Sequence, residues 1–310
     1  MLECHHSISL SKGSIYIIQK IWQLITATFK AWQEDDVSLI AAALSYYTIF
    51  SLAPLLVIVI AIAGVFFGQA SVESEIVAQF GDLLGEETAN LLNTMIEAFQ
   101  SLGSGVLATV ISLSLLLFGA TNLFFQLEKA LNTIWNVDIN RDDETSGAIP
   151  QLIQKRLLSF VFILLLGVLL IISLLINSAL SAFIAFIPAE QAWLSRPLQF
   201  SNILISVTVL TLNFALIYKY LPDTHIDWQD VWVGALVTSV LFTVGQLAIG
   251  FYIGQGTTTS AYGAAGSLAA LLLWVYYSMQ ILLLGAEFTQ VYSHQFRSTV
   301  GIGSLPQSDD

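Results

Sequence analysis

The sequence predicts an all-α polytopic membrane protein: a bundle of about six transmembrane helices with both termini cytoplasmic, preceded by an N-terminal amphipathic helix. Three observations predict it. Hydrophobic residues make up 56% of the 310 positions and charged residues only 10%, with a mean hydropathy of +0.77. Soluble domains carry about 25% charged residues, and a soluble fold of this length could not hide so much apolar surface from water. Second, a hydrocarbon core about 30 Å thick is crossed by about 20 apolar helical residues, and about six stretches are long enough. Third, the basic residues fall almost entirely on one side of the resulting topology.

The first element is a cytoplasmic arm, residues 1–38. Ile15, Ile18, Trp22, Ile25 and Phe29 recur at helical spacing, while Lys12, Gln19, Lys20, Gln23 and Lys30 lie off that stripe. A basic amphipathic helix of this kind either lies in the membrane interface or packs on the protein's own cytoplasmic face. The first 14 residues hold no apolar signal region, so the first span is expected to serve as an uncleaved targeting signal. The spanning domain, 39–291, contains stretches at 39–67, 105–125, 158–186, 203–220, 231–253 and 267–291. The last two are divided not by charge but by the polar, Gly-rich run Gly254–Ser260, with Gly263 and Gly266 beyond. Such a run is too polar for lipid-facing helix. Between spans one and two, the acidic segment 69–104 shows two helical stripes: Val72, Ile76, Phe80 and Leu83, then Leu91, Leu92, Met95, Ile96 and Phe99. Gly81 and Gly85 separate them, which predicts two short amphipathic helices capping the outer face. Residues 126–157 form a polar cytoplasmic loop, and 292–310 a polar cytoplasmic tail.

Lys and Arg in short loops mark the cytoplasmic side. Six spans with the N-terminus inside place Lys12, Lys20, Lys30, Lys129, Arg141, Lys155, Arg156, Lys219 and Arg297 inside, and only Arg196 outside, nine against one. Reversing the topology inverts that ratio, and an odd number of spans spoils it.

The net charge of −12 argues against nucleic acid as a partner, since phosphate binding requires clustered Lys and Arg. The lipid bilayer is the expected partner, with a homo-oligomer left open and the cargo unknown. A single cysteine, Cys4, excludes an intrachain disulfide. The four histidines have no zinc-ligand spacing, and no phosphate loop, nucleophile elbow or dinucleotide fingerprint is present. Asp223, His225, Asp227 and Asp230 form one polar cluster, read first as a turn with Asp helix caps and second as a metal site. No catalytic, metal-binding or cofactor-binding residue is assigned, and no cofactor is called for.

Candidate functional residues come instead from polar groups near or inside the spans. Asp36, Glu128, Lys219, Asp223 and Glu287 fall at cytoplasmic span ends, either as a charged mouth or as interface anchors. Ser45, Tyr46, Tyr47, Ser51, Asn122, Asn177, Asn213, Gln246, Tyr276, Tyr277 and Gln280 lie deeper, where such groups bond between helices or line a polar cavity. Pro54 removes a backbone hydrogen bond inside the first span, predicting a kink or break. Gly285 and Ala286 allow close helix contact beside Glu287. That carboxylate is expected to face protein, with Lys219, Asn132 or Lys129 as partner.

Several segments carry a resemblance. Ala41-Ala42-Ala43-Leu44-Ser45-Tyr46-Tyr47, then Ser51-Leu52-Ala53-Pro54-Leu55-Leu56, resembles the first-span signature of the YihY/BrkB family of bacterial inner-membrane proteins. Ala130-Leu131-Asn132-Thr133-Ile134-Trp135 resembles the segment after that family's second span. Leu221-Pro222 with Val233-Gly234-Ala235-Leu236 resembles its fourth-to-fifth junction. Tyr262-Gly263, Trp274-Val275-Tyr276 and Leu284-Gly285-Ala286-Glu287 resemble its last span. The blocks occur in family order over about residues 30–292. The resemblance implies about six spans and a plasma-membrane location. Many members carry an old ribonuclease BN label, the BrkB name is linked to serum resistance in a pathogen, and transport has been proposed. The residues themselves support no ribonuclease. The expected function is a transporter or permease-like role for a small molecule or lipid, with a cargo-free membrane scaffold as the alternative.

Overall fold

The computed structural model describes residues 4–101, 122–137, 165–169, 171–173, 175–176, 192–254 and 265–300. The described helices include α1 (Cys4–Glu34), α2 (Val37–Phe67), α3 (Gln69–Leu84), α4 (Glu86–Ser101), α5 (122–134), α6 (Ala192–Tyr220), α7 (Trp228–Gly254) and α8 (Gly266–Val300), and the residues described within 165–176 are helical too. There is no strand among the described residues. Among the described residues three helices are long and apolar enough to cross a membrane, at Val37–Phe67, Trp228–Ile249 and Gly266–His294, and Leu204–Tyr220 is a shorter apolar helix. These coincide with predicted spans one, five, six and four. The predicted spans at 105–125 and 158–186, and most of the run dividing spans five and six, lie mainly outside the described residues.

The outer faces of these helices suit hydrocarbon. Along α7, Leu236, Val240, Val244, Leu247 and Phe251 are all exposed, at a spacing that puts them on one stripe. On other sides of the same helix, Gly234, Thr238 and Gly245 pack against α8. A Cβ added at Gly234 would run into Thr289, and one at Gly285 would run into Thr238 and Tyr218. Small residues let two backbones approach in lipid, where helix association relies on dispersion and hydrogen bonds.

Several hydroxyls inside α2 are satisfied locally. Thr48 donates to the Leu44 carbonyl at 2.7 Å, Ser51 to Tyr47 at 2.9 Å and Ser45 to Ala42 at 2.8 Å. Hydroxyls bonded back to the preceding turn need no further partner. Pro54 does not break α2: the helix runs unbroken from Val37 to Phe67 with the proline buried inside it.

Of the two dispositions open to α1, its periodic stripe does not take the packed one. Trp22, Ile25 and Phe29 are each more than half exposed, whereas Leu24 and Thr28 are buried. Trp32, one turn further along that second ridge, donates to Gln280 of α8 at 3.1 Å. The ridge Leu24–Thr28–Trp32 fits the bundle, and the bulkier stripe is left facing outward. Ile15 and Ile18 lie where side chains are not described.

α3 and α4 are two short helices over the segment where the two stripes lie. Gly68 at φ +85° and Gly85 at φ +91° break the chain where only glycine is comfortable. A Cβ at Gly64 would collide with Gln69, so α3 turns straight back against α2. Val72 and Ile76 share a core with Val59, Ile60 and Ala63 of α2. Further along, Phe80 meets Trp274 of α8 edge-on at 5.4 Å. Leu84 and Leu92 join a core with Ile49, Leu52, Leu271 and Val275. The hairpin therefore folds back along α2 as far as the helix's middle, because its apolar stripe is long enough to bury along that whole path.

Candidate functional site

Polar chemistry gathers at one end of the bundle, where α2 begins and α5, α6 and α8 approach their ends. A single apolar core holds these elements together, with Val37, Leu131, Ile134, Tyr218, Leu221, Ile226, Val231, Leu283 and Ala286 among its members. Aromatic groups surround it. Tyr220 and Trp228 rings lie 6.1 Å apart, Trp228 and Trp232 6.2 Å apart, and all three are exposed. Such a belt is typical of a membrane–water boundary.

Three polar arrangements occupy this end. Asn132, buried near the end of α5, donates from its amide nitrogen to Asp223 Oδ2 at 2.9 Å and accepts from the Asp223 backbone N–H at 2.8 Å. The pair clamps α5 to the α6–α7 loop. Pro222, buried beside it, stiffens that loop. Lys219 donates to the Ile226 carbonyl and sits 5.6 Å from the Trp228 ring centroid, so its charge is held by a carbonyl and an aromatic face. Asp227 and Asp230 belong to the start of α7: the Asp227 carbonyl accepts from the N–H groups of Asp230 and Val231, both at 3.1 Å. Among the described residues no group of three His, Cys, Asp or Glu side chains is placed to hold a metal ion.

Glu287 stands apart. It is wholly buried, at 0% exposure. Its two carboxyl oxygens have no hydrogen-bond partner among the described residues. The expected partners do not reach it, because Asn132 is taken by Asp223 and Lys219 by Ile226, while Lys129 is exposed. The carboxyl that faces Glu287 is Asp35, at the break between α1 and α2. α1 ends at Glu34, within the acidic run Glu34-Asp35-Asp36. Asp36 turns the chain at φ 49° with its own side chain exposed. Protein-facing burial of Glu287 was legible from Gly285-Ala286; the acidic neighbour was not.

Beside this lies a groove of about 160 Å³ between α2 and α5, lined by Ile40, Ala43, Leu44, Tyr47, Gln126, Lys129, Ala130 and Thr133. One part is aliphatic; the other offers a phenol, an amide, a hydroxyl and an ammonium group. Among the sequence candidates, Tyr47 lines the groove, whereas Tyr46 is exposed and packs on Tyr47 and Phe50. Ser45 and Pro54 are buried in helix packing. Glu128 is half-buried on α5. Trp274 abuts the α3–α4 hairpin, so it belongs to another region. Tyr276 accepts from Gln280 at 2.7 Å, and Gln280 accepts from Trp32, giving a chain that ties α1 to α8. A second cavity, of about 570 Å³, is an open trough on α3 and α4 lined by Glu73, Ser74, Asn90 and Asn93 among others.

Sequence reasoning missed Asp35, Trp32, Tyr218, Thr238 and Thr289. Tyr218 is fully buried, donates to the Leu282 carbonyl at 2.7 Å and lies 3.0 Å from Thr238 Oγ1. A readable signal existed: Gly234 and Thr238 in one span, Gly285 and Thr289 in the next, are each four apart, a small-residue spacing that marks a close helix pair.

Comparison with known proteins agrees with this picture. The chain is 28% identical over 282 residues to a UPF0761 membrane protein of Mannheimia succiniciproducens, covering 89% of this chain and 91% of that one. It is 28% identical over 261 residues to one of Cronobacter sakazakii, covering 83% of each. A UPF0761 membrane protein of Verminephrobacter eiseniae is 28% identical over 278 residues, covering 86% of this chain. The chain spans about three-fifths of that relative's length, and 55% of the length of a Ralstonia nicotianae relative. No solved structure matches. The family described as "Virulence factor BrkB" matches residues 28–308, and the chain, a membrane protein, belongs to that family.

Proposed function

We propose that this protein is a multi-pass protein of a bacterial inner membrane, with six spans and both termini cytoplasmic, and that it acts as a transporter or permease-like protein for a small molecule or lipid. The carrying observation is the α2–α5 groove. Its aliphatic wall of Ile40, Ala43 and Leu44 and its polar residues Tyr47, Gln126, Lys129 and Thr133 suit an amphipathic guest with an anionic or polar head. A water-soluble cargo would call for a more polar pathway. No catalytic step belongs to this reading.

Reconstitution into liposomes carrying a head-labelled phospholipid tests it. The expected result is label movement between leaflets that falls at least tenfold when Tyr47→Ala and Lys129→Ala are combined. No movement of any lipid or solute in a broad panel would sink the transport reading. Reporter fusions test the topology. Those at Gln100, Glu190 and Gly256 should report the outside, and those at Arg141, Asp227 and the C-terminus the cytoplasm.

A cargo-free scaffold is the second reading, and one observation favours it. The deep hydroxyls of α6–α8 close on helix contacts: Thr211 and Ser239 lie 2.7 Å apart, and Thr238 and Thr289 bond back to Gly234 and Gly285. A failed flux assay with intact folding and a stable binding partner would establish it.

A further inference from the structure

Glu287 and Asp35 ask for a ligand that the described residues do not supply. A carboxyl with no exposed surface normally bonds to a donor or pairs with a cation. Glu287 has neither among the described residues, and its ionisable neighbour is another acid. The other charged groups near this end are engaged elsewhere. Glu34 pairs with Lys30 at 3.3 Å on the surface. Asp36 is turned outward and exposed. Asp223 is held by Asn132, Lys219 by Ile226, and Asp230 makes interactions of its own at the start of α7. The Tyr218 phenol donates to Leu282, and Lys129 is exposed on α5 beside the groove.

Glu287 is buried and Asp35 half-buried, and two carboxyls held this close in a place of limited water access favour one positive charge between them. We infer that Asp35 and Glu287 form a binding site for a single small cation, either a proton shared between the two carboxyls or a sodium ion bridging them. The site is distinct from the α2–α5 groove and stands whether or not that groove carries a cargo. It joins the α1–α2 break, which turns at Asp36, to the buried face of α8, beside the apolar core of Val37, Leu283 and Ala286 and the Trp32–Gln280 bond. Occupancy of the site therefore holds the α1–α2 junction against α8, and emptying it leaves two like charges pushing the junction away.

The test uses the full chain in lipid nanodiscs. Thermal unfolding is followed from mildly acidic to mildly alkaline buffer with choline as the only monovalent salt, then at the alkaline end with sodium added. The wild-type midpoint should rise by roughly 5 °C or more on acidification if the ligand is a proton, or on sodium addition if it is sodium. Glu287→Gln should abolish that rise, and Asp35→Asn should reduce it by at least half. Glu97→Gln, on the exposed face of α4, should leave it intact. If Glu287→Gln does not fold, Asp35→Asn decides: a reduced response supports the site and an unchanged one overturns it. A wild type indifferent to both cations, or a Glu287→Gln protein that responds as wild type does, overturns the inference.

Discussion

The two ends of the bundle are held by different physics. At the end where α2 begins, side-chain hydrogen bonds run between elements: Asn132 to Asp223, Tyr218 to Leu282, Trp32 to Gln280 and Lys219 to Ile226. At the other end, the α3–α4 hairpin is attached through apolar burial of Val72, Ile76, Leu84, Leu92 and Ile96. Side-chain bonds within the hairpin include Gln79 to Glu75, Asn93 to Glu97 and Gln100 to Glu73. Directional bonds fix register, whereas apolar contact is non-directional and tolerates sliding. The difference teaches which part of the molecule serves as frame and which part is able to move.

Substitutions can break this comparison, and the largest effect is expected at Gly285. A leucine there must displace both Thr238 and the Tyr218 hydroxyl. The change should destabilise by about 3 kcal/mol or more, read as loss of the monodisperse peak in detergent chromatography or a collapsed melting point. Tolerance of Gly285→Leu would show that α7 and α8 are not in the close contact described. Next comes Leu92→Ala at the other end. Leu92 is fully buried, and its truncation should cost about 2–4 kcal/mol. Chemical denaturation would show it, and a change under about 0.5 kcal/mol would mean the hairpin is not packed on the bundle.

Asn132→Ala should cost less, about 1–2 kcal/mol, because Asp223 is exposed and water can replace the lost bonds. Its distinctive mark is local: faster amide exchange at Asp223, with the hairpin unchanged. The smallest effect belongs to Trp22→Ala on α1. Exposed residues contribute little to folding, so stability should stay within about 0.5 kcal/mol. The stripe Trp22, Ile25 and Phe29 should instead matter for lipid. A spin label at Trp22 should sense the headgroup boundary, and a fully aqueous signal there would return the stripe to a protein interface.

Much of the fold was legible because spans announce themselves by composition and length. Spans one, five and six emerge as long apolar helices, and of the two glycines between the stripes Gly85 ends α3 while Gly81 lies inside it. What periodicity could not tell was the path of the hairpin or the packing face of α1. Both depend on which of two apolar ridges fits a neighbouring helix, and that is a property of the pair. The site divides the same way. Gly285-Ala286-Glu287 signalled a buried carboxyl through small neighbours in sequence. Its companion Asp35 lies about 250 residues away in the chain, and only the turn at Asp36 brings it there. Asn132 was identified as a candidate, yet its bond to Asp223 joins two segments with no shared pattern.

The contrast between frame and hairpin has one direct readout. Hydrogen–deuterium exchange of the full chain in nanodiscs would compare segment 220–231, the α6–α7 loop with the adjoining helix ends, with the helix Glu86–Ser101. Ordinarily a loop exchanges faster than a helix. Here the amides of Leu221, Asp223, Asp230 and Val231 are all hydrogen-bonded within the stitched end, while α4 opens whenever the apolar hairpin lifts. Slower exchange at those four amides than along α4 is the expected result, with the order reversed in Asn132→Ala at Asp223. Uniformly slower exchange in α4 than in 220–231 would contradict the account.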